Sequence, residues 1–300
     1  MSHLPVITVV IPTYNHAHFL GDALDSLCAQ TYTKWEAIVV NNFSDDNTIV
    51  VVESYKDPRI ILENFSNNGV IAASRNRGIV LSRGKYIAFL DSDDTWYPTK
   101  LARCMEQFAE DIDLVCHGLR WFGDQKRDVL CGPRQAATFD ALVYKGCSIT
   151  TSAAVVLKER LEVAGCFSEN LKIVTAEDYH LWIKLAQAGA KMHFIMEILG
   201  GYRVHSGNQS GSVLRHMNAI LYVVEQFIPD KSSWGFKTRI RVNWRYSIAY
   251  YGAGRLMQNN KQHAKALPLL FHAILYSPFF IKGYYAIFLG LVGMVRQWRR

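Results

Sequence analysis

Three observations predict an α/β protein with a mostly parallel sheet. Short apolar runs alternate with segments of helical periodicity through the first ~115 residues, the rhythm of strand–helix–strand units. The runs are too short to be core helices and are rich in Val and Ile. Polar turns built from Asn, Asp and Pro close them, and ligands of open α/β sheets bind beyond such strand ends.

The elements follow in order. Val6 to Ile11 is an apolar run closed by Pro12, a central strand. Ala17 to Gln30 carries Phe19, Leu20, Ala23, Leu24 and Leu27 at helical spacing. Glu36 to Val40 is a second strand, ending at a polar run that begins Asn41-Asn42. Residues 47 to 56 form a helix despite their valines, and Arg59 to Leu62 a third strand. Asn67-Asn68-Gly69 is a turn, followed by a helix from about Val70 to Leu81. Tyr86 to Leu90 is the next strand. A helix from Pro98 to Phe108 has Pro in its first turn, and Leu114 to His117 is again a strand. Residues 118 to 150 lose the rhythm and read as loops and short strands. Ala153 to Leu157 is strand-like, and Glu177 to Ala188 is helical, with Leu181, Trp182 and Leu185 on one side. From about residue 214 the chain is helical and aromatic. This divides it into a domain over 1–213 and a helical region over 214–300.

Composition narrows the function. Half of the 300 residues are hydrophobic and a fifth are charged, with a net charge of +7, as in a globular protein with an anionic substrate or an anionic membrane surface. No zinc knuckle, RNA-recognition signature or basic helix-turn-helix pattern appears, so nucleic acid is not expected as a partner. The six cysteines are scattered without a C-x-x-C pair, which fits reduced cytoplasmic thiols. The N-terminus runs directly into a strand, so no secretory signal is read.

The densest chemistry is Asp91-Ser92-Asp93-Asp94, directly after the Tyr86 strand. Three carboxylates within four positions repel one another unless a cation neutralises them. Mg²⁺ or Mn²⁺ suits carboxylate oxygens and shares its shell with substrate phosphate. An isolated acidic run would as readily be a solvated loop, and the surrounding motifs decide between the two readings.

Those motifs occur in a fixed order. Ile11-Pro12-Thr13-Tyr14-Asn15 ends the first strand and an amide-rich turn ends the second. Ala73-Ser74-Arg75-Asn76-Arg77-Gly78 precedes Gly84-Lys85-Tyr86 and the acidic run, and Ala176-Glu177-Asp178 opens a later helix. Over roughly residues 6 to 210 the chain resembles the family 2 inverting glycosyltransferases of the GT-A fold, of the kind that builds bacterial surface polysaccharide. The resemblance implies a parallel sheet flanked by helices and transfer of a sugar from a nucleotide-diphosphate donor, UDP-sugar favoured, to a hydroxyl of a glycan or polyprenyl-linked acceptor. It implies Asp178 as general base, Asp91 at the donor, Asp93 on the metal and Asp94 in support, with Asp91 and His205 as further metal contacts. Pro12, Thr13, Tyr14, Asn15, Asn41, Asn42, Arg75, Asn76 and Ser92 would complete the donor pocket. One departure concerns the base: the family often carries two Asp where this chain has Asn41-Asn42. An amide oxygen still accepts the uracil N–H, and its NH₂ can also donate. His16 and His18 flank the first turn and receive less weight.

Two other readings compete. Asp91-Ser92-Asp93-Asp94-Thr95 fits the D-x-D-x-T of haloacid-dehalogenase-type phosphatases. However, the Gly123-Asp124 that would follow comes too soon for that fold, and the nucleophile would sit on a late strand. A catalytically inactive sugar-nucleotide-binding scaffold is disfavoured by the presence of Asp91, Asp93 and Asp178 together. In the tail, Leu269 to Met294 is apolar but is interrupted by Pro278 and Lys282. Its final uncharged run, Gly283 to Val295, falls short of the ~20 apolar residues of a spanning helix. Aromatics with Arg296, Trp298, Arg299 and Arg300 suit a helix lying in a membrane interface, with packing against a partner subunit as the alternative. The expected location is cytoplasmic, peripheral at the inner face of the membrane.

Overall fold

The computed structural model describes residues 5–108, 111–205 and 212–298. Arg299 and Arg300 of the basic tail lie outside the described residues. The chain forms two compact units, one of residues 1–139 and 147–208, the other of 140–146 and 209–300.

The first unit is built on a nine-stranded sheet. Its parallel half comprises β1 (Ile7–Thr13), β2 (Trp35–Asn41), β3 (Ile60–Asn64) and β4 (Tyr86–Phe89), ordered β3-β2-β1-β4. The central strands β1 and β2 are Val- and Ile-rich and bury both faces, as parallel strands under helices must, whereas β3 at the sheet edge is half-exposed. Thr13 pairs with Asn41 and Asn41 with Asn64, so three strand ends finish level with one another. Helices α1 (Ala17–Cys28), α2 (Thr48–Ser54) and α3 (Ile71–Leu81) make the crossovers. Leu20, Ala23, Leu24 and Leu27 form the buried stripe of α1. In α3 four of the buried residues are small, Ala72, Ala73, Ser74 and Gly78, and at Gly78 an added Cβ would lie 2.4 Å from Val10 Cγ1. The small residues therefore let the helix lie close on β1.

Beyond β4 the sheet is mixed. It continues through β8 (Ala154–Leu157), β6 (Leu114–Gly123), β9 (Met192–Val204) and β5 (Thr95–Trp96), with β7 (Arg127–Val129) paired to the far half of β6. β8 enters antiparallel between β4 and β6, whereas β6 and β9 are parallel. The stretch expected to be irregular therefore contains the second half of β6, β7 and α5 (Phe139–Lys145). The expected helix at Pro98 begins later, as α4 (Lys100–Glu106). Pro98 lies in the preceding turn, where its carbonyl accepts the Thr31 N–H. Short α6 (Lys158–Val163) and then α7 (Glu177–Gln187) complete the unit.

The second unit is helical: α8 (Val213–Phe227), α9 (Phe236–Asn259), α10 (His263–Tyr276) and α11 (Ile281–Trp298). Met217, Met257, Leu269, Leu270 and Ile287 form its core. α9 is tied to the 140–146 segment by an Arg241–Asp140 ion pair and by Arg241 lying 3.8 Å over the Tyr144 ring. Among the described residues no helix is long and apolar enough to cross a membrane.

Candidate active site

The acidic run occupies the turn after β4, at the C-terminal end of the parallel strands, and the Asp94 N–H closes it onto the Asp91 carbonyl at 3.0 Å. Each member has a different partner. Asp91 Oδ1 accepts from Arg75 Nη2 at 2.8 Å, and the Asp91 N–H donates to Ser152 Oγ at 3.2 Å. Ser92 Oγ is 2.9 Å from His16 Nδ1. Asp93 Oδ2 is 2.9 Å from His205 Nε2. Asp94 is fully buried and its Oδ1 accepts the Arg203 N–H at 2.9 Å, anchoring the end of β9. Burial, with Asp93 and Asp91 beside it, pushes the Asp94 carboxyl well above its ordinary pKa.

Arg75 joins this turn to the head of α7. Its Nη1 donates to Glu177 Oε1 at 2.7 Å while Nη2 holds Asp91, and only 4% of its side chain is exposed. Burial opposes its charge, but Asp91 and Glu177 outweigh burial and raise its pKa. The arginine thus bridges two acidic motifs 86 positions apart in the chain, Asp91 and Glu177. Glu177 Oε2 also accepts the N–H of Thr175, a residue at φ +83°. The next residue, Asp178, is partly buried and its Oδ2 accepts from Thr151 Oγ1 at 2.9 Å. Burial raises its pKa, against the pull of Arg75 and of the Thr151 hydroxyl.

The level strand ends carry the remaining residues. Pro12 and Thr13 are buried and Tyr14 is exposed. Asn15 sits at φ +52°, a conformation Asn tolerates better than most residues. It accepts the Asp45 N–H and donates its own N–H to Ser44 Oγ. Asn41 is fully buried: its oxygen accepts from Ser44, and its NH₂ donates to Asn64 Oδ1 at 2.8 Å. Asn42 Oδ1 accepts the Asn67 N–H. Asn76 clasps the 167–169 loop, donating to the Phe167 carbonyl and Glu169 and accepting the Phe167 N–H. Asn41 and Asn76 thus have their amides engaged within the fold, and Arg75 has its two Nη atoms on carboxylates.

Sequence reasoning gave no place to Thr151, Ser152 or Phe19. The two hydroxyls lie in a stretch with no periodicity to flag them. Phe19 reads as an ordinary core position of α1, yet its ring stands 4.8 Å from His205 and 3.9 Å from His18, and Arg203 lies 4.7 Å over it. Burial lowers the His16 pKa, Asp93 works against this, and His205 and His18 reinforce it.

Comparison with known proteins agrees with this geometry. Residues 8–131 match the model of "Glycosyl transferase family 2". An Escherichia coli protein named UDP-Glc:alpha-D-GlcNAc-diphosphoundecaprenol beta-1,3-glucosyltransferase is 28% identical over 218 residues, covering 71% of this chain and 83% of that one. The crystal structure of Staphylococcus aureus TarS 1-349 in complex with UDP-GlcNAc superposes with a TM-score of 0.64 at 17% identity, over 96% of this chain and 88% of that one. The Pyrobaculum calidifontis mannosyltransferase in complex with GDP-Man and Mn²⁺ superposes with a TM-score of 0.60 at 18% identity, over 97% and 87%. At such identities the two structures speak for the fold alone. On sequence and fold together, residues 8–131 carry the match to glycosyltransferase family 2, and the chain adopts the fold of the GT-A glycosyltransferases.

Proposed function

We propose that the enzyme moves a sugar from a nucleotide-diphosphate donor, UDP-sugar favoured, to a hydroxyl of a glycan or polyprenyl-linked acceptor, with inversion, in surface polysaccharide synthesis. The observation that carries the proposal is the Arg75 bridge, which brings the Asp91–Asp94 turn and the Glu177–Asp178 pair to one place. The relative that uses UDP-Glc and a diphosphoundecaprenol acceptor supports the substrate class.

Asp178 takes the proton of the acceptor hydroxyl. That oxygen attacks the anomeric carbon on the face opposite the diphosphate, and the sugar–phosphate bond breaks. A carboxylate with a raised pKa is the stronger base for this step, and Thr151 holds its other oxygen in place. Pro12, Thr13, Tyr14, Asn15 and Asn42 line the nucleotide end. Asn41 and Asn76 contribute by fixing the loops that shape it, and Arg75 by holding Asp91 in place for the donor.

A divalent cation, Mn²⁺ or Mg²⁺, fits the donor set. A carboxylate oxygen of Asp93 and an imidazole nitrogen of His205 already adjoin at 2.9 Å. Among the described residues no group of three or more side chains is placed to hold an ion, which suits a cation that completes its shell with diphosphate oxygens. Asp93 and His205 would hold it, and when bound it would offset the charge that develops on the leaving diphosphate.

Thermal-shift measurements with UDP, GDP, CDP and dTDP, each with and without Mn²⁺, test the donor site. One nucleotide should stabilise the protein only with metal, and Asp93→Ala should abolish the shift. The absence of any shift from every nucleotide would overturn the reading. Asp178→Asn should keep the nucleotide shift and lower sugar transfer by roughly 10²–10⁴-fold.

The helical unit supports a peripheral location at the inner face of the membrane. Residues 209–300 hold thirteen Lys and Arg against two acidic residues. Ile281, Tyr284, Tyr285, Phe288, Leu291 and Val295 are exposed at helical spacing along α11. Basic charge beside an apolar stripe favours an anionic lipid surface.

A further inference from the structure

We infer that His16, the residue just before α1, donates a hydrogen bond from Nε2 to the diphosphate of the donor, with Ser92 as the group that fixes its tautomer. This rests on the donor-site reading above and adds a residue to it.

Ser92 is 3% exposed, and among the described residues the structure gives its Oγ one hydrogen-bond partner, His16 Nδ1 at 2.9 Å. A buried hydroxyl has one proton to donate and costs free energy if it donates to nothing. The proton therefore goes to Nδ1, which must then be the unprotonated nitrogen of a neutral ring, and Nε2 carries the N–H. A neutral imidazole in this tautomer is a one-way donor at Nε2, suited to an anionic oxygen.

Position supplies the second half. Ser92 lies between Asp91 and Asp93, so its partner ring stands over the turn that handles the donor. The His16 ring lies edge-on to His205, centroids 6.0 Å apart, and His205 in turn reaches Asp93. His16 itself is partly buried and makes T-shaped contact with Phe19, centroids 5.8 Å apart, which limits how far the ring can swing. The backbone beneath it is fixed as well. Its carbonyl accepts the N–H groups of Phe19 and Leu20, and the Ala17 N–H is held by Asp46 at 2.8 Å. A ring so anchored pays little further ordering when a phosphate arrives.

Binding of UDP and of UMP, in the presence of Mn²⁺, tests the assignment by titration calorimetry on the full chain, using the diphosphate and monophosphate of another base if the panel above selects one. His16→Phe keeps the ring's bulk and removes the N–H. It should weaken the diphosphate by roughly tenfold, the size of one hydrogen bond to a charged group, and the monophosphate much less. His16→Gln, which retains a side-chain N–H, should recover part of the loss. Ser92→Ala should weaken the diphosphate in the same direction, and combining it with His16→Phe should add little, because the two residues act as one unit. Equal weakening of UDP and UMP by His16→Phe would make the residue a support of the fold and overturn the assignment. Unchanged diphosphate affinity would overturn it too. If the wild-type protein binds no nucleoside diphosphate, the donor-site reading itself fails, and His16 with it.

Discussion

Replacing Arg75 by Met should destabilise the catalytic unit more than any exposed charge would. The guanidinium is 4% exposed and serves two carboxylates, Glu177 at 2.7 Å with 8% of its side chain exposed and Asp91 at 2.8 Å with 26%. Removing one partner of a buried ion pair costs about 3–5 kcal/mol, because the other charge is left behind without water. Asp91 can recover some hydration, whereas Glu177 cannot, so a loss of about 4 kcal/mol is expected. For a unit of this size, that lowers Tm by roughly 8–15 °C. Trp35 and Trp182 are buried in the same unit, so tryptophan fluorescence reports the transition. The pH dependence has a definite sign. Burial already raises the Glu177 pKa, with Arg75 pulling it down and Asp178 pushing it up. Without Arg75 it rises further, and folding then favours the protonated acid. Stability contributed that way is present at low pH and lost as pH rises through the folded-state pKa. The deficit of Arg75→Met should therefore be smaller at pH 5 than at pH 8, and Glu177→Gln in the same background should recover much of it at pH 8. A Tm change below about 2 °C, or no recovery from the second substitution, would refute the account of Arg75 as the charge that holds the two motifs together.

Three further outcomes are expected. Gly78→Ala gains about 1 kcal/mol of helix propensity but drives a methyl to 2.4 Å from the fully buried Val10. The clash should win, with a net loss of about 1–2 kcal/mol read from denaturant midpoints. Lys100 is fully buried with its Nζ 3.5 Å over the Trp96 ring, and burial lowers its pKa to about 8. A base depressed on folding weakens the protein below its folded pKa, by roughly 3 kcal/mol here before the ring contact returns about 1–2. Wild-type stability should thus rise between pH 8 and pH 10.5, and Lys100→Met should be more stable than wild type at pH 7 and show no such rise. Finally, the protein should co-sediment with vesicles containing phosphatidylglycerol and not with phosphatidylcholine alone, and Phe288→Asp together with 0.5 M salt should release it. Binding indifferent to lipid charge would dismiss the basic tail as the cause.

The parallel half of the sheet was legible because its central strands β1 and β2 are buried on both faces, and continuous Val and Ile runs between polar turns admit few other readings. Of the mixed half, β8 and the start of β6 were legible as apolar runs, and the rest was not. β5 has two residues, too few for any period, and β9 runs thirteen residues through Glu197, Gly200 and Gly201, which break an apolar pattern. The second half of β6 is exposed or half-exposed from Arg120 onward, so its composition resembles a loop. At the site, Asp91 and Asp93 stand out because clustered carboxylates demand a reason, and Asp178 through the family resemblance. The role of Arg75 did not, since a mid-helix arginine normally points to water. Only the tertiary structure shows that it is buried between carboxylates 16 and 102 positions away.

The Asn41–Asn64 contact bears on how this pocket can change over time. Asn41 donates its amide to Asn64 Oδ1, so an Asp at position 41 would set two oxygens against each other. Asn64 is exposed at the edge strand, and rotating its amide by half a turn presents NH₂ in place of the oxygen. The Ser44 hydroxyl and N–H already point at the oxygen that an Asp would keep. A single base change could therefore exchange an amide for a carboxylate beneath the nucleotide end, with no second mutation to accommodate it. The chain thus stands one substitution from altering the charge at that position, against the cost of burying a carboxylate there.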